Sequence, residues 1–402
     1  MLFAFFKLSI FDFVKFHLWS FLSYRKAIKD DLVHLEAAAS WLVRSVGKVN
    51  GRGSSKGYGF PQGWKSDYTE TSGYIIRTFI DLFHHYNNQK YQEIATSIGE
   101  WELSVQFENG GFVGRELGIM IEPIVFNTGQ VLLGFNSLYR ETLDERYLNA
   151  SIKAGEFLVS CLDKKGCFVR SLYKGTIHTY NVRVAWALLE LGLLSGLKNF
   201  SLAGEKNVEW TLKQQQQNGF FRYNSFVENV PATTHTIGYV LRGLLESHLI
   251  TNNNRYLDSV ILAAEEIISK YGIYKKFSSE INEKWRNISK HVCLTGYAQL
   301  AIVFLKLFRI NNDPRYLNCA LHFIDDVKIH QNTDNNNKDY FGAIQGSFPI
   351  YGRYAPLQFP NWATKFFIDA LLLKIEVLKE YEDSIFDQLP VDGQQEVEAG
   401  LD

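Results

Sequence analysis

DLVHLEAAASWLVRSV, residues 31–46, decides the architecture, because it is a helix with no partner beside it in the chain. Leu32, Leu35, Ala38, Ala39, Leu42 and Val43 recur on one helical face, and a glycine-rich turn around Gly57-Tyr58-Gly59-Phe60 follows. The remainder of the chain reads as helix pairs. First helices are expected to begin near 68, 125, 178, 234, 292 and 361, and second helices near 89, 145, 202, 254 and 314. Six first helices and five second helices leave the last helix, at 363–378, without a mate. Residues 31–46 supply it from the other end of the chain.

Working outward, two signals repeat. Glycine–aromatic turns are expected at Asn109-Gly110-Gly111-Phe112, Lys165-Gly166-Cys167-Phe168, Asn218-Gly219-Phe220-Phe221, Tyr271-Gly272-Ile273-Tyr274 and Phe341-Gly342-Ala343-Ile344. Arg146-Tyr147-Leu148, Arg255-Tyr256-Leu257 and Arg315-Tyr316-Leu317 open second helices. Lys90-Tyr91 is a weaker copy, and the third unit has none. A two-helix period of about 55–60 residues is a repeat architecture. An open solenoid would need polar capping repeats, whereas the split sixth pair predicts closure. The expected fold is therefore all-α, an (α/α)6 toroid spanning residues 30–382, with inner helices around an axis and outer helices surrounding them.

Composition bounds the rest. The chain has 402 residues, 46% hydrophobic and 21% charged, enough for a large core in one domain. A net charge of −1 gives no global field directed at nucleic acid. Cys161, Cys167, Cys293 and Cys319 form no CxxC pair or zinc spacing, and suit a reducing compartment. No metal and no cofactor is expected.

Residues 1–22 are strongly apolar, but Lys7, Asp12, Lys15 and His17 interrupt them. That defeats both a signal peptide and a membrane span. Residues 1–29 are expected to form an apolar helix that lies in a membrane interface or packs on the domain, with Tyr24-Arg25-Lys26 and Lys29 suited to anionic headgroups. The expected location is cytoplasmic or peripheral at the inner membrane. Residues 383–402 read as a disordered acidic tail.

The loops leading into the first helices hold the polar and aromatic clusters, and those leading into the second helices do not. Asp67, Tyr68 and Glu70 begin one such cluster, and Glu122, Asn127 and Gln130 a second. His178, Tyr180, Asn181 and Arg183 make a third; His235, His291, and Asn361 with Trp362, mark the others. Glu70, Tyr74 and Arg77 fall at i, i+4 and i+7, as do His235, Tyr239 and Arg242; Lys365 follows Asn361 by one turn. Polar stripes on helices that should be apolar all round imply a wet or ligand-filled centre. Arg115, Arg170, Trp285 and Arg353 lie in loops expected to cover the mouth. An excess of cations over Asp67, Glu70 and Glu122 suits an acidic sugar.

The ring of six hairpins resembles that of carbohydrate-active enzymes such as unsaturated-uronide hydrolases, alginate- and chondroitin-type lyases and glucuronyl C5-epimerases. The stretches from His178 to Trp186, Cys293-Leu294-Thr295-Gly296, Gly346-Ser347-Phe348-Pro349-Ile350-Tyr351-Gly352, and Phe359 to Phe367 look more specifically like proteins encoded among bacterial capsule and exopolysaccharide biosynthesis genes. That resemblance, over residues 30–380, implies polysaccharide synthesis or modification and brings no catalytic residues with it.

Three readings follow for a poly- or oligosaccharide partner. In β-elimination or C5-epimerisation of a uronate, the favoured reading, Tyr180 with His178 or His235 moves the C5 proton, while Asn181, Arg183 and Arg242 hold the carboxylate. Tyrosine, with a pKa of about 10, would need adjacent cations to lower it. Inverting hydrolysis would use Glu70 and Glu122, which should stand about 6.5–9.5 Å apart. A non-catalytic glycan-binding subunit is the third.

Overall fold

The computed structural model describes residues 13–14, 16, 28–113, 122–334 and 337–386. The described helices alternate between two concentric rings. The outer helices are α1 (Asp31–Gly47), α3 (Gln89–Val105), α5 (Glu145–Ser160), α7 (Lys198–Leu212), α9 (Asn254–Tyr274) and α11 (Pro314–Ile329). The inner helices are α2 (Thr69–Tyr86), α4 (Val125–Thr142), α6 (Val182–Ser195), α8 (Thr234–Thr251), α10 (Leu294–Asn311) and α12 (Asn361–Phe386). Each inner helix packs on the next, and α12 packs on both α2 and α1. The fold is an (α/α)6 toroid, closed by the first and last helices as the sequence predicts.

The closure is held by backbone as well as core. Strand β1 (Gly57–Gly59), just after α1, pairs antiparallel with β2 (Gly63–Trp64), and with the strand Gln358–Pro360 that leads into α12. Asn361 Nδ2 donates to Ser54 Oγ at 3.1 Å, the Ser55 carbonyl at 2.7 Å and Thr71 Oγ1 at 2.9 Å. Gly342 adopts φ +83°, and a Cβ there would lie 1.9 Å from the Ala37 carbonyl oxygen of α1. Gly110 and Gly166 press on the next outer helix in the same way, against the carbonyls of Lys153 and Lys206. The repeated glycine is thus the point where each turn touches the following outer helix, and left-handed backbone with no side chain is what that contact requires.

One expected turn is displaced. Tyr271, Gly272, Ile273 and Tyr274 lie inside α9, with Gly272 facing open space. The equivalent turn comes later. Its bridge joins Ile281 to Asn287, as Leu162 joins Phe168 and Gln215 joins Phe221. Trp285 sits in the slot that Gly166 and Gly219 occupy, at φ +57°. A bulky residue in that region is uncommon, so a search for glycine misplaces the turn.

The Arg-Tyr-Leu repeat is a clamp between successive outer helices. Asp144, Asn253 and Asp313 cap α5, α9 and α11 by accepting from the N–H of Arg146, Arg255 and Arg315. Those arginines reach back to Glu100, Glu209 and Glu265 at 2.7, 3.0 and 2.9 Å. In the third unit, Leu197 offers no side-chain cap and α7 begins at Lys198, four residues before the expected 202.

The N-terminal segment and tail are described only in part. Phe16 is buried against Phe60, Tyr340 and Phe359, and Lys29 pairs with Asp334. Apart from Phe13, Val14 and Phe16, residues 1–27 lie outside the described residues, as do Arg115 and residues 387–402. Helix α12 continues to Phe386, past the expected start of the tail at 383. Among the described residues, no helix is long and apolar enough to cross a membrane.

Candidate active site

The N-terminal ends of the inner helices and their lead-in loops enclose a cavity of about 400 Å³. Two short ladders brace it, Ala232–Thr233 with Glu280–Ile281 and Val292–Cys293 with Ser347–Phe348. Glu70 is the second residue of α2 and His235 the second of α8, so helix geometry aims both inward from opposite sides of the ring. Asn127 comes from the first turn of α4, and Tyr180 from a short 3₁₀ turn ahead of α6. That 3₁₀ turn explains why α6 starts at Val182 and not near 178.

Of the expected residues, Tyr68, Glu70, Asn127, Tyr180, His235, Tyr239, Arg353 and Trp362 line this cavity. They are joined by residues that the sequence reading did not single out, Lys56, Tyr173, Lys174, Phe226, Glu280 and Tyr354, all from the segments between the helices of the two rings. Tyr68 donates to Glu70 Oε2 at 2.7 Å, and Lys56 Nζ lies 4.6 Å from the Tyr68 ring centre. Asn127 Nδ2 donates to the Val113 carbonyl at 2.9 Å. Trp362 donates to the Tyr354 hydroxyl at 2.7 Å. At the rim, Arg353 and Glu280 are 3.3 Å apart.

Burial sets the protonation states. It raises the affinity of Glu70 for its proton, against the pull of Tyr68, Lys56 and Arg183 in the other direction. It drives His235 well below the usual imidazole range, helped by the Arg183 charge. His235 Nδ1 is 2.6 Å from Gln299 Nε2. Two groups on one cavity are thus shifted oppositely, the carboxyl toward holding its proton and the imidazole toward losing its second, the pattern of an acid–base pair. Tyr180 is held well above 10 by burial and then by Glu70, so no cation activates it as a base; its hydroxyl is a hydrogen-bond donor.

The remaining expected residues lie elsewhere. Glu122 is exposed and off the cavity wall. Asp67 is buried toward the outer helices, with Oδ2 3.8 Å from Arg52 Nε. His178 stacks behind Tyr180, centroids 4.4 Å apart, and its Nε2 meets Thr176 Oγ1 and the Tyr173 carbonyl. Asn181 is buried off the wall. Trp285, locked in its turn, donates to the Asn218 carbonyl. His291 packs edge-on to Tyr351, and Asn361 serves the closure.

Beneath the cavity the barrel is plugged by rings. Phe126 and Tyr180 contact Tyr239, which with Tyr74 packs on Phe366. Arg183 crosses this layer, donating to Gln130 Oε1 at 3.1 Å. It lies 4.8, 5.3 and 5.7 Å from the ring centres of Tyr239, Trp186 and Phe366. Below the plug, Arg77, Arg242 and Lys365 face a second cavity at the other end of the barrel. The expected single wet centre is two cavities with a dry partition. Among the described residues, no group of three His, Cys, Asp or Glu is placed to hold a metal ion.

No family model matches the chain, and no curated protein matches it. Solved structures do. An unsaturated glucuronyl hydrolase specific for heparin is 15% identical, with a TM-score of 0.69 over 87% of this chain and 99% of that one. The unsaturated glucuronyl hydrolase of Bacillus sp. GL1, responsible for glycosaminoglycan degradation, is 12% identical, with a TM-score of 0.68 over 85% and 96%. Cellobiose 2-epimerase from Spirochaeta thermophila DSM 6192 is 14% identical, with a TM-score of 0.66 over 86% and 97%. At such identities the likeness establishes the fold.

Proposed function

We propose that this chain is a carbohydrate-active enzyme that takes a uronate-containing oligosaccharide into the 400 Å³ cavity and acts on it by proton transfer between Glu70 and His235. The observation that carries this reading is that the first and fourth inner helices bring Glu70 and His235 to one cavity from opposite sides of the ring, with burial displacing the two groups in opposite directions. A volume of this size lies in the usual range for small-ligand sites. Phe126, Tyr180, Phe226 and Trp362 offer apolar faces to a sugar ring. Lys56 and Lys174 give the mouth more positive than negative charge, since Arg353 and Glu280 pair with each other and burial biases Glu70 toward neutrality.

In β-elimination, the Gln299 amide turns its oxygen to accept from His235 Nδ1–H, leaving Nε2 to take the C5 proton. The electron pair released from the C5–H bond forms the C4–C5 double bond. The C4–O bond breaks and Glu70 passes its proton to the departing oxygen. In C5-epimerisation, the same base removes the proton on one face and Glu70 returns one on the other. Tyr180 would donate a hydrogen bond to the carboxylate as negative charge builds on it, while the Tyr68 hydroxyl stays on Glu70. A setting in bacterial polysaccharide synthesis or modification rests on the local resemblances around His178, Cys293 and Phe359.

Hydrolysis is a second reading, favoured by Glu280 on the same wall as Glu70 and by structural neighbours that are glucuronyl hydrolases. It replaces the pair Glu70 and Glu122 with Glu70 and Glu280. Acidic oligosaccharides incubated with the enzyme distinguish the cases. Unsaturated-uronide absorbance marks elimination, solvent deuterium at C5 without cleavage marks epimerisation, and new reducing ends without absorbance mark hydrolysis. His235→Gln should abolish the first two; a variant that retains them rules out the proposed base. A fully active Glu280→Gln excludes the hydrolytic pair.

A further inference from the structure

The second cavity, at the C-terminal ends of the inner helices, has a volume of about 610 Å³ and takes no part in the chemistry proposed above. Arg77, Arg183, Arg242, Lys306, Lys365 and Lys379 line it, with Arg309 at its edge; Asp81, Asp369 and Glu376 are the carboxylates on its wall. Several of the cations are satisfied internally. Lys306 lies 2.8 Å from Glu246, which also pairs with Arg242. Lys365 pairs with Asp369, and Arg309 lies 3.0 Å from Glu376 and 2.8 Å from Glu380.

Two cationic groups, Arg183 and Lys379, are left without a carboxylate among the described residues, and a third, Arg77, shares Glu190 with Arg140. Arg183 is 3% exposed and has no carboxylate partner, only Gln130 and three rings. The Nη1 of Arg77 is buried without a hydrogen bond, 3.5 Å from the nearest oxygen of Glu190. Among the described residues, Lys379 has no ion pair. Helix dipoles account for cations at helix C-termini, but not for Arg183. It sits in the first turn of α6, at the positive end of its own helix, where an unpaired buried charge is costly.

We propose that this cavity binds a multivalent oxyanion, a phosphate or sulfate group carried on a small molecule, held by Arg183 and Arg77 on the inner wall and Lys379 at the rim. Planar guanidinium groups match the oxygens of such anions in paired hydrogen bonds. The volume leaves room for more than the anion alone, in the range of ordinary small-ligand sites.

Titration calorimetry on the full chain at low ionic strength, with inorganic phosphate, pyrophosphate and sulfate in turn, tests this. Saturable one-to-one binding is expected, with pyrophosphate tightest. Preference for phosphate over sulfate would point to a phosphorylated ligand, and the reverse to a sulfated one. Arg183→Met should weaken binding by about tenfold or more. Because that change is buried, two exposed variants carry the test if it fails to fold. Lys379→Glu should weaken binding by about threefold, and Glu376→Gln, which removes a carboxylate from the cavity wall, should strengthen it. No saturable heat with any of the three anions overturns the site. So does binding that neither rim variant changes, since the anion then sits elsewhere.

Discussion

The two ends of the barrel solve the problem of polar groups in a closed ring in opposite ways. At the helix N-termini, charge is kept to the segments between helices, on Lys56, Lys174 and the Arg353–Glu280 pair, and the helices present one buried carboxyl that favours its proton and one histidine that rejects its second. At the helix C-termini, charge is dense and mutually compensated through Glu190, Glu246 and Asp369. Compensation fixes protonation states. Burial drives Glu246 upward, but Arg242 and Lys306 overcome it and hold the group far below an ordinary glutamate. Glu70, with burial the largest influence on it, moves the other way. At the N-terminal end burial is the largest influence on both Glu70 and His235, and at the dense end it brings even Lys365, beside Asp369, down to about 8.

The sharpest way to break that contrast is to remove the proton from one end and a charge from the other. Glu70→Gln keeps the shape and the Tyr68 contact but has no proton to give, so turnover should fall by about 10³-fold. Arg140→Gln, which removes one of the two cationic partners of Glu190, should leave turnover within about twofold. Steady-state rates on whichever acidic oligosaccharide is turned over decide it. A Glu70→Gln variant with near-normal turnover would end the distinction between a reactive end and a compensated end.

Both ends depend on closure, and closure can be broken separately from chemistry. Gly342→Ala places a Cβ against the Ala37 carbonyl at left-handed φ, which should cost about 2–4 kcal/mol in denaturant unfolding. Asn361→Ala leaves the Ser54 and Thr71 hydroxyls short of a donor, at about 2 kcal/mol or more. If neither variant loses stability, the first and last helices do not bear on one another as described.

Closure was legible from residues 31–46 because counting helices needs only the apolar period. The rim of the reactive end was partly legible too. Tyr68, Glu70, Asn127, Tyr180, His235 and Trp362 all precede or open inner helices, and that position alone aims them inward. Depth was not legible. Helical spacing shows that Glu70, Tyr74 and Arg77 share a face, but seven residues at 1.5 Å each is about 10 Å, enough to carry Arg77 through the aromatic plug to the other cavity. Lys56, Tyr173, Phe226 and Tyr354 were missed for a different reason. They come from loops whose path is set by contacts distant in sequence, where no period exists to read. Trp285 was misread because it fills a slot that its neighbours in the repeat give to glycine.

Glu102 separates burial from function. It is fully buried on outer helix α3, neither oxygen has a hydrogen-bond partner, and burial raises it well above an ordinary glutamate, with Asp67 adding to the effect. Because its folded pKa exceeds its unfolded one, the folded protein holds this proton more tightly. Its contribution is full below the unfolded pKa and is lost as pH rises toward the folded value. Glu102→Gln should therefore stabilise the protein at neutral pH by about 1 kcal/mol or more, flatten that slope, and leave turnover unchanged. Unfolding midpoints across acid to neutral pH measure it. A loss of turnover would mean that a raised carboxyl outside the cavity also matters, and the argument from Glu70 would weaken.

The smallest effect is expected on the outer ring, where the Arg-Tyr-Leu clamp repeats. Arg146 bonds Asp144 and Glu100, and Arg315 repeats the pattern with Asp313 and Glu265. All of these groups are solvent-accessible, so water and salt screen them and the side chains lose freedom in pairing. The buried partner in each clamp is the tyrosine, whose hydroxyl donates to the same glutamate at 3.1 Å for Tyr147 and 2.8 Å for Tyr316. Arg146→Ala should lower the melting temperature slightly at low salt and hardly at all at high salt. Tyr147→Ala, which empties a packed site between α3, α5 and α4, should lower it at every salt concentration. If the arginine variant proves the more damaging of the two in high salt, then the outer ring is held by charge, as the compensated end of the barrel is, and the motif marks an electrostatic seam instead of a packed one.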